Sequence, residues 1–348
     1  MSLTYRTRRR LQRLGAVVLF LTMVITVGWF CWVVWLERYI VYTRDGAVID
    51  FERSEQTLQG EVAVPPVAGN GPGIHFNEGE NAISTSTEMT QLFGYYITAD
   101  MLLNDMEGTR QKVEMLDRGT PVMIELKGGW GSFYYSSDID GAIRSASMDV
   151  AAVDELIEYM QSRNMYLIAQ IPAFRDYTYA LNHVNAGIPF TGGGGALWMD
   201  DGGCYWLKPT DSGIIGYLAS IILELRGMGF HEVVLRDFEV PNGERVIYNG
   251  DEQTDLLSAA NTLITACSTS YFTVSFTVDS TAFPLPDGRC RIYVNNVSAK
   301  DVERSAQQVT FSDPDLRLVF MADTNDSRYD SYSVVRTLDL IDLPEAKG

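Results

Sequence analysis

The sequence predicts an α/β protein, a (β/α)₈ TIM-type barrel that we expect to be degenerate in its C-terminal third, behind one N-terminal transmembrane helix. Two observations predict this architecture. Short runs rich in Val, Ile and Tyr alternate with helix-like segments over about 250 residues, which is typical of parallel strands joined by helices. Before them, residues 14–36 contain no charged side chain.

The uncharged segment is long enough to cross the roughly 30 Å hydrocarbon core of a bilayer as a helix. Arginines crowd residues 1–13, and Trp29, Trp32 and Trp35 gather at the other end of the segment, as expected for a cytoplasmic basic tail and an aromatic belt. A cleaved signal peptide is the alternative, but its apolar core is shorter, about 7 to 15 residues. We therefore expect a single-pass signal anchor in the cell membrane, with the barrel extracytoplasmic.

Residues 37–90 differ in composition from the rest of the chain. A small hairpin is predicted around Asp45-Gly46, and it is followed by Pro65-Pro66 and by a glycine-rich run at 69–73. Proline- and glycine-rich stretches of this kind do not form packed elements. We interpret 37–90 as an extracytoplasmic tether and 91–343 as the barrel domain.

Composition excludes several classes of function. The net charge is −18, and five of the 27 basic residues lie in the first thirteen positions, so the folded part is strongly acidic and nucleic acid is not an expected partner. The three histidines share no motif, and Cys204, Cys267 and Cys290 lack metal-ligand spacing. We expect no metal, no cofactor and no disulfide framework.

Eight strands and the helices between them can be placed from hydrophobic patterns. The first four strands are predicted at 93–97, 122–126, 166–171 and Val233-Val234-Leu235, and the last four at 272–278, 290–294, 316–321 and 334–335. Helices are predicted at 99–117, 149–163, 212–226 and 252–265. No clear helix separates the fifth strand from the sixth, which is why we expect the last third to be degenerate.

Five segments occur in the order and spacing of a known family. They are Gly-Tyr-Tyr-Ile-Thr-Ala at 94–99, Val-Met-Ile-Glu-Leu-Lys at 122–127, Tyr-Leu-Ile-Ala-Gln-Ile-Pro-Ala-Phe-Arg-Asp at 166–176, Trp-Met-Asp at 198–200 and Gly-Phe-His-Glu-Val at 229–233. In these segments the chain resembles the bacterial putative glycoside hydrolase family of TIM-barrel domains. The resemblance implies a barrel that acts on polysaccharide, or one that descends from such barrels.

The chain departs from the family at the fourth strand. The family pattern there is Phe-Asp-Tyr-Val-Arg-Phe-Pro, and alignment on Pro241 places Arg236 where the family has Asp and Glu239 where it has Arg. Asp237 is one residue from the expected carboxylate, but adjacent residues of a strand face opposite sides. Either a bulge turns Asp237 inward or the site is altered.

Several carboxylates stand at or just beyond predicted strand ends, where barrel enzymes place their catalytic groups. Glycosidases need two carboxyl groups, about 5 Å apart for retention or about 6.5 to 9.5 Å apart for inversion. The candidates are Glu125, Asp176, Asp237, Glu239 and Asp279. We favour Glu125 with Asp237 or Glu239 as the catalytic pair. The alternative is that ion pairs, such as Glu125 with Arg236, occupy them, and Arg236 is expected to lower the pKa of Asp237.

Aromatic residues follow the second and third strands, as expected for loops that stack on sugar rings. The alternative is that they plug the barrel mouth or pack a lid. Charged groups beside them are expected to bind sugar hydroxyls. The predicted substrate-binding residues are Trp130, Tyr135, Arg175, Asp176, Trp198, Asp200, Trp206 and Arg236.

The sequence therefore predicts a membrane-anchored, extracytoplasmic glycoside hydrolase whose partner is a polysaccharide or cell-wall glycan. The alternative is a catalytically inactive barrel that binds a glycan or an envelope protein. Arg236, at the family's Asp position, separates the two hypotheses. A metal-dependent deacetylase would need histidine ligands that the sequence does not supply.

Overall fold

The structure, a computed structural model, describes residues 40–43, 46–49, 89–191, 195–278, 283–284 and 286–343. The chain divides into two compact units, residues 1–75 and 76–348. No helix within the described ranges is both long enough and apolar enough to cross a membrane, and the predicted anchor at 14–36 lies outside those ranges.

The described part of the first unit is a two-stranded antiparallel hairpin. Strand β1 (Ile40–Thr43) pairs with β2 (Gly46–Ile49), so that Ile40 lies opposite Ile49. The predicted hairpin is confirmed. Most of the remaining tether lies outside the described residues, and its boundaries stay predictions.

The second unit contains a closed parallel barrel. Its strands are β3 (Phe93–Ile97), β4 (Pro121–Glu125), β5 (Ser132–Phe133), β6 (Ile143–Arg144), β7 (Tyr166–Pro172), β8 (Glu232–Arg236), β9 (Thr273–Val278), β10 (Ile292–Val294), β11 (Leu318–Ala322) and β12 (Ser333–Thr337). The barrel order is β10-β11-β12-β3-β4-β7-β8-β9, whereas β5 and β6 form a separate small sheet. All eight predicted barrel strands are confirmed.

Helices connect most of the barrel strands. They are α1 (Ala99–Asn104), α2 (Met106–Glu114), α3 (Val150–Ser162), α4 (Tyr177–Asn182), α5 (Ser212–Gly227), α6 (Glu252–Cys267), α7 (Val302–Gln307) and α8 (Pro314–Arg317), with 3₁₀ turns at Val184–Ala186, Ser327–Tyr329 and Leu338–Leu340. The prediction of one helix at 99–117 was wrong. Asp105 leaves the helical conformation and its carboxylate accepts the Gly108 N–H at 3.1 Å, so that a second helix starts there.

The longer helices also begin at aspartate caps. The carboxylates of Asp149, Asp211 and Asp251 each accept a backbone N–H from the first turn of α3, α5 or α6. In the C-terminal third the helices shorten to six residues in α7 and four in α8. The described residues between β9 and β10 form no helix. The expected irregularity of this third is thus confined to the helices, because all of its strands are present.

Two hydrophobic clusters form the core. The larger one packs the outward-facing strand residues, among them Ile124, Leu167 and Val233, against the helices. The smaller one fills the barrel interior with Leu92, Met123, Ile168, Val234, Tyr293, Val319 and Val335. Because side chains alternate along a strand, the inward-facing residues two positions later reach the C-terminal mouth of the barrel.

Below the small cluster lies a buried ionic group. Glu232, which is fully buried, accepts hydrogen bonds from Arg291 Nη1 at 2.6 Å, Ser275 Oγ at 2.6 Å and Tyr293 Oη at 3.0 Å. A buried charge that is paired and fully hydrogen-bonded is compatible with a stable core. This group therefore belongs to the closed end of the barrel, away from the mouth.

Candidate active site

A cavity of about 220 Å³ lies at the C-terminal mouth of the barrel. The strands from β7 to β11, or the residues that directly follow them, supply its walls. Its lining residues are Gln170, Arg236, Asp237, Phe238, Glu239, Thr277, Asn295 and Met321. Active sites of this barrel architecture lie at the same end. Three of the predicted site residues, Arg236, Asp237 and Glu239, therefore come together here.

Arg236 links two of the predicted catalytic carboxylates. Its Nη2 donates to Glu125 Oε1 at 2.9 Å, and its Nη1 donates to Asp237 Oδ2 at 2.6 Å. The other oxygen of Glu125 accepts the Ala99 N–H at 3.0 Å. The ion pair between Glu125 and Arg236, which the sequence left as an alternative, is confirmed. Arg236 fixes the orientation of both carboxylates through its rigid guanidinium.

The backbone at Asp237 resolves the question raised by the one-residue shift. Asp237 has a φ of 52°, in the left-handed region, directly after β8 ends at Arg236. This conformation interrupts the alternation of the strand, so Asp237 lines the same cavity as Arg236. Asp237 is thus turned inward.

Burial raises the pKa of the Asp237 carboxyl, although the charges of Arg236 and Arg175 act in the opposite direction. Arg236 lowers this pKa, as expected, but the loss of hydration at the mouth outweighs the attraction of the two cations, so the net change is upward. A carboxyl group with a raised pKa is suited to donate a proton.

Glu239 and Glu125 differ in their position relative to the cavity. Glu239 lies on its wall, whereas Glu125 reaches Arg236 from the end of β4 and is not part of the lining. The two carboxyl groups that share the cavity are therefore those of Asp237 and Glu239. The remaining strand-end candidate, Asp279, lies outside the described residues.

Asp176 is a structural residue, which corrects its predicted role in substrate binding. It is 1% exposed, and its Oδ2 lies 2.5 Å from Lys127 Nζ. Its Oδ1 accepts the Tyr179 N–H and caps α4. Burial lowers the pKa of Lys127, and Asp176 opposes that change. This pair was not predicted from the sequence, although Lys127 follows Glu125 by two positions, just beyond the end of β4.

Arg175 and Asp200 form a second hydrogen-bonded group, and their contact with substrate stays a prediction. Arg175 Nε donates to Asp200 Oδ2 at 2.6 Å, and the Trp206 indole N–H donates to the same oxygen at 2.9 Å. The Cys204 N–H donates to Asp200 Oδ1. Burial alone would raise the pKa of Asp200, but these hydrogen bonds outweigh it and lower the pKa. The group holds the loop at 198–206 in place.

Two of the predicted stacking residues are buried and cannot stack on a sugar. Tyr135 is fully buried, and its hydroxyl donates to Glu224 at 2.5 Å. Trp206 is 6% exposed. For these residues the packing alternative is correct. Trp198 is half-buried, and its indole N–H donates to the Glu244 carbonyl at 3.1 Å.

Three aromatic side chains form a row in the segments that follow β4 and β7, and Trp130 is its exposed member. Trp130 is 53% exposed and lies 4.8 Å, between ring centroids, from Tyr177, which in turn stacks on Tyr205 at 5.1 Å and 11°. We call these three residues the aromatic row. Tyr177 was missed because it lies in the first turn of α4 rather than in an aromatic-rich loop. The row adjoins Arg175, whose charge acts on Asp237.

Neither a disulfide nor a metal cluster occurs within the described ranges. Cys204, Cys267 and Cys290 are buried and unpaired. No group of three or more His, Cys, Asp or Glu side chains in the described part of the chain is arranged to hold a metal ion.

Comparison with solved structures gives matches of low identity. A hypothetical protein from Ruminiclostridium thermocellum ATCC 27405 has 16% identity and a TM-score of 0.45, covering 53% of this chain and 96% of that one. A GH20 beta-N-acetylhexosaminidase from Streptomyces coelicolor A3(2) has 9% identity and a TM-score of 0.45, covering 70% and 58%. A GH36 alpha-galactosidase from Geobacillus stearothermophilus has 8% identity and a TM-score of 0.49, covering 74% and 40%.

The chain thus spans less than two thirds of the length of these two hydrolases. No curated protein matches it. Residues 94–267, half of the chain, match the family described as "Putative glycosyl hydrolase domain". The family predicted from the five segments is confirmed. The chain therefore belongs to the putative glycosyl hydrolase domain family, and its barrel is glycoside-hydrolase-like.

Proposed function

We propose that this protein is a membrane-anchored, extracytoplasmic glycoside hydrolase that acts on a polysaccharide or cell-envelope glycan. The observation that supports this proposal best is that Asp237 and Glu239 line one cavity at the C-terminal mouth of the barrel. Glycoside hydrolysis needs two carboxyl groups that reach one glycosidic bond. The pKa of one of them, Asp237, is raised by burial.

In this proposal Asp237 is the general acid. Its carboxyl proton passes to the glycosidic oxygen as the bond to the anomeric carbon breaks. The carboxylate of Glu239 either takes a proton from the attacking water or attacks the anomeric carbon itself, depending on its separation from Asp237. Arg236 and Glu125 are positioning residues, because they contact Asp237 directly or through the guanidinium.

The aromatic row would support the rest of the glycan. Trp130, Tyr177 and Tyr205 form a row of rings in the segments that follow β4 and β7, and the C–H face of a sugar packs on such rings. Residues 14–36 would anchor the barrel outside the cell, where envelope glycans lie. The acidity of the chain disfavours nucleic acid as a partner.

The proposal is tested by measuring reducing-end release from cell-wall and plant polysaccharides with the full-length protein. Asp237→Asn and Glu239→Gln should each reduce the rate by about 10²- to 10⁴-fold, as expected for the loss of a general acid or base. Asp201→Asn changes an exposed carboxylate on the loop at 198–206 and serves as the matched control. Equal rates in the wild type and in both site variants would refute the proposal.

A second candidate, a glycan-binding module without activity, is favoured by one observation. The guanidinium of Arg236 is paired with Asp237, so part of the carboxyl that must reach the glycosidic oxygen is already engaged. Under this hypothesis the same polysaccharides bind, no reducing ends appear, and Asp237→Asn leaves the affinity unchanged.

A further inference from the structure

The floor of the cavity consists mostly of apolar side chains. Residues two positions apart on a strand face the same side, so the residue below each lining residue can be read from the sequence. Four of these floor residues belong to the buried cluster inside the barrel: Ile168 below Gln170, Val234 below Arg236, Tyr293 below Asn295 and Val319 below Met321. The fifth, Ser275 below Thr277, is buried and donates its hydroxyl to Glu232. A ligand therefore enters from the mouth and stops at this layer.

Thr277 is a polar wall residue whose hydroxyl is not used by the fold. It lies on β9 on the same inward side as Ser275 and is 6% exposed. No described residue hydrogen-bonds to its Oγ1, and the same holds for Arg236 Nε on the same cavity. Buried polar atoms nearly always have a partner in native proteins. These two atoms indicate a ligand that carries hydroxyl groups.

The charge of the cavity disfavours an anionic ligand. Among its lining residues, Asp237 and Glu239 are acidic, and Arg236 is already paired through both terminal nitrogens. A uronate or a sulfated sugar would therefore meet two carboxyl groups, and Arg236, the cation among the described lining residues, is already paired with Glu125 and Asp237. The remaining polar wall residues, Gln170, Thr277 and Asn295, are neutral donors and acceptors that suit hydroxyl groups.

We infer that this cavity is a subsite for one neutral sugar residue at the end of a glycan, and that Thr277 Oγ1 hydrogen-bonds to it. The inference rests on the proposed hydrolase function and deepens it, because a closed subsite of this kind makes the enzyme exo-acting. The cavity volume of about 220 Å³ lies below the range of roughly 300–1,000 Å³ of pockets for drug-sized ligands, so it holds one ring.

The first test measures binding of single sugars. Full-length protein, in a detergent without a sugar head group, is titrated with glucose, galactose, mannose, N-acetylglucosamine, glucuronate and galacturonate. At least one neutral sugar should bind about tenfold or more tightly than either uronate. Thr277→Val should weaken that binding by about tenfold, and Thr277→Ser should retain it. Preference for a uronate, or unchanged affinity in Thr277→Val, would overturn the inference.

A matched control lies on the same strand. Thr273 is fully buried, and its Oγ1 accepts a hydrogen bond from Arg289 Nε at 2.9 Å. Thr273→Val should lower the melting temperature without changing sugar affinity. Thr277→Val should leave the melting temperature equal or higher, because it removes a hydroxyl without a partner among the described residues. A loss of stability in Thr277→Val as large as in Thr273→Val would mean that the hydroxyl serves the fold.

The second test separates this inference from the proposed function. Neutral hexasaccharides of glucose, xylose and N-acetylglucosamine are incubated with the protein, and products are sized over time. Release of one sugar at a time supports the subsite. Internal cleavage without monosaccharide overturns it while the hydrolase function stands. Binding of a single sugar that depends on Thr277, without hydrolysis of any hexasaccharide, overturns the hydrolase function and the exo-action while the sugar site stands.

Discussion

Arg236 and Asp237 are neighbours in the sequence, yet their side chains form an ion pair with Nη1 and Oδ2 2.6 Å apart. Two adjacent residues in an extended strand would face opposite sides. The left-handed conformation of Asp237, with φ at 52°, brings both into the barrel mouth. This conformation costs a residue other than glycine roughly 1–2 kcal/mol, so contacts around the site must hold it.

The raised pKa of Asp237 predicts how stability depends on pH. A carboxyl whose pKa is higher in the folded protein than the unfolded value of about 3.9 reduces stability as pH rises through the folded pKa. Asp237→Asn lacks this contribution. The melting temperature of the variant, relative to wild type, should therefore be higher at pH 8 than at pH 4. Thermal unfolding of both proteins from pH 4 to pH 8 measures this difference in melting temperature. A difference between variant and wild type that does not change with pH would contradict the raised pKa.

Arg236 should influence the pH at which activity falls on the alkaline side, which we call the alkaline limit, through its effect on the pKa of Asp237. Its charge lowers the pKa of Asp237 against the effect of burial, so its removal should raise that pKa further. In Arg236→Gln the pH at which the rate falls on the alkaline side should increase, since Asp237 stays protonated to higher pH.

Arg236→Lys is the matched control for this shift. Lysine keeps the positive charge, but it lacks the planar guanidinium through which Arg236 donates to both Glu125 and Asp237. The alkaline limit of Arg236→Lys should lie between those of the wild type and Arg236→Gln. A decrease of the limit in Arg236→Gln would show that Asp237 does not act as the acid.

The barrel could be predicted from the sequence because its strands are short apolar runs separated by helical segments. Even the brief Val334-Val335 run identified the last strand, β12. The prediction of one continuous helix at 99–117 was wrong because the side chain of Asp105 caps a second helix that begins within this range. Helical periodicity continues across such a break, so the pattern alone does not show it.

The site could be predicted only in outline. Strand ends located the carboxylates, but their partners come from distant parts of the chain: Arg236 is 111 residues from Glu125, and Lys127 is 49 residues from Asp176. Sequence spacing does not determine which carboxylate an ion pair occupies. The φ value of Asp237 also depends on tertiary contacts, although Asp is among the residues that adopt the left-handed region.

The Lys127–Asp176 pair should be essential for stability. Both side chains are almost fully buried, at 1% and 2% exposure. Asp176→Ala would leave the Lys127 ammonium without its partner and should cost about 3–5 kcal/mol of unfolding free energy. The double variant Lys127→Met with Asp176→Asn should lose less than Asp176→Ala alone. Urea unfolding measures both, and a loss below about 1 kcal/mol in Asp176→Ala would contradict the structural role.

The topology predicted from the N-terminus can be tested on cells. Arginines before the uncharged segment at 14–36 should keep the N-terminus cytoplasmic and the barrel outside. Protease added to intact cells should therefore release a fragment cut within residues 52–90, where proline and glycine are frequent. A barrel that is protected until the cells are lysed would refute this orientation.

Trp130 should contribute to glycan binding without contributing to stability. Its side chain is 53% exposed at the end of the aromatic row, so Trp130→Ala should change the unfolding free energy by no more than about 0.5 kcal/mol. Loss of its ring surface should weaken the affinity for a bound oligosaccharide by about tenfold, which equals about 1.4 kcal/mol.

Tyr135→Phe is the control, because it removes the buried hydrogen bond to Glu224. That variant should lose about 1–3 kcal/mol of stability and keep its affinity. Titration calorimetry and urea unfolding of both variants distinguish the roles, and an affinity that falls equally in both would mean that the row is not a binding surface.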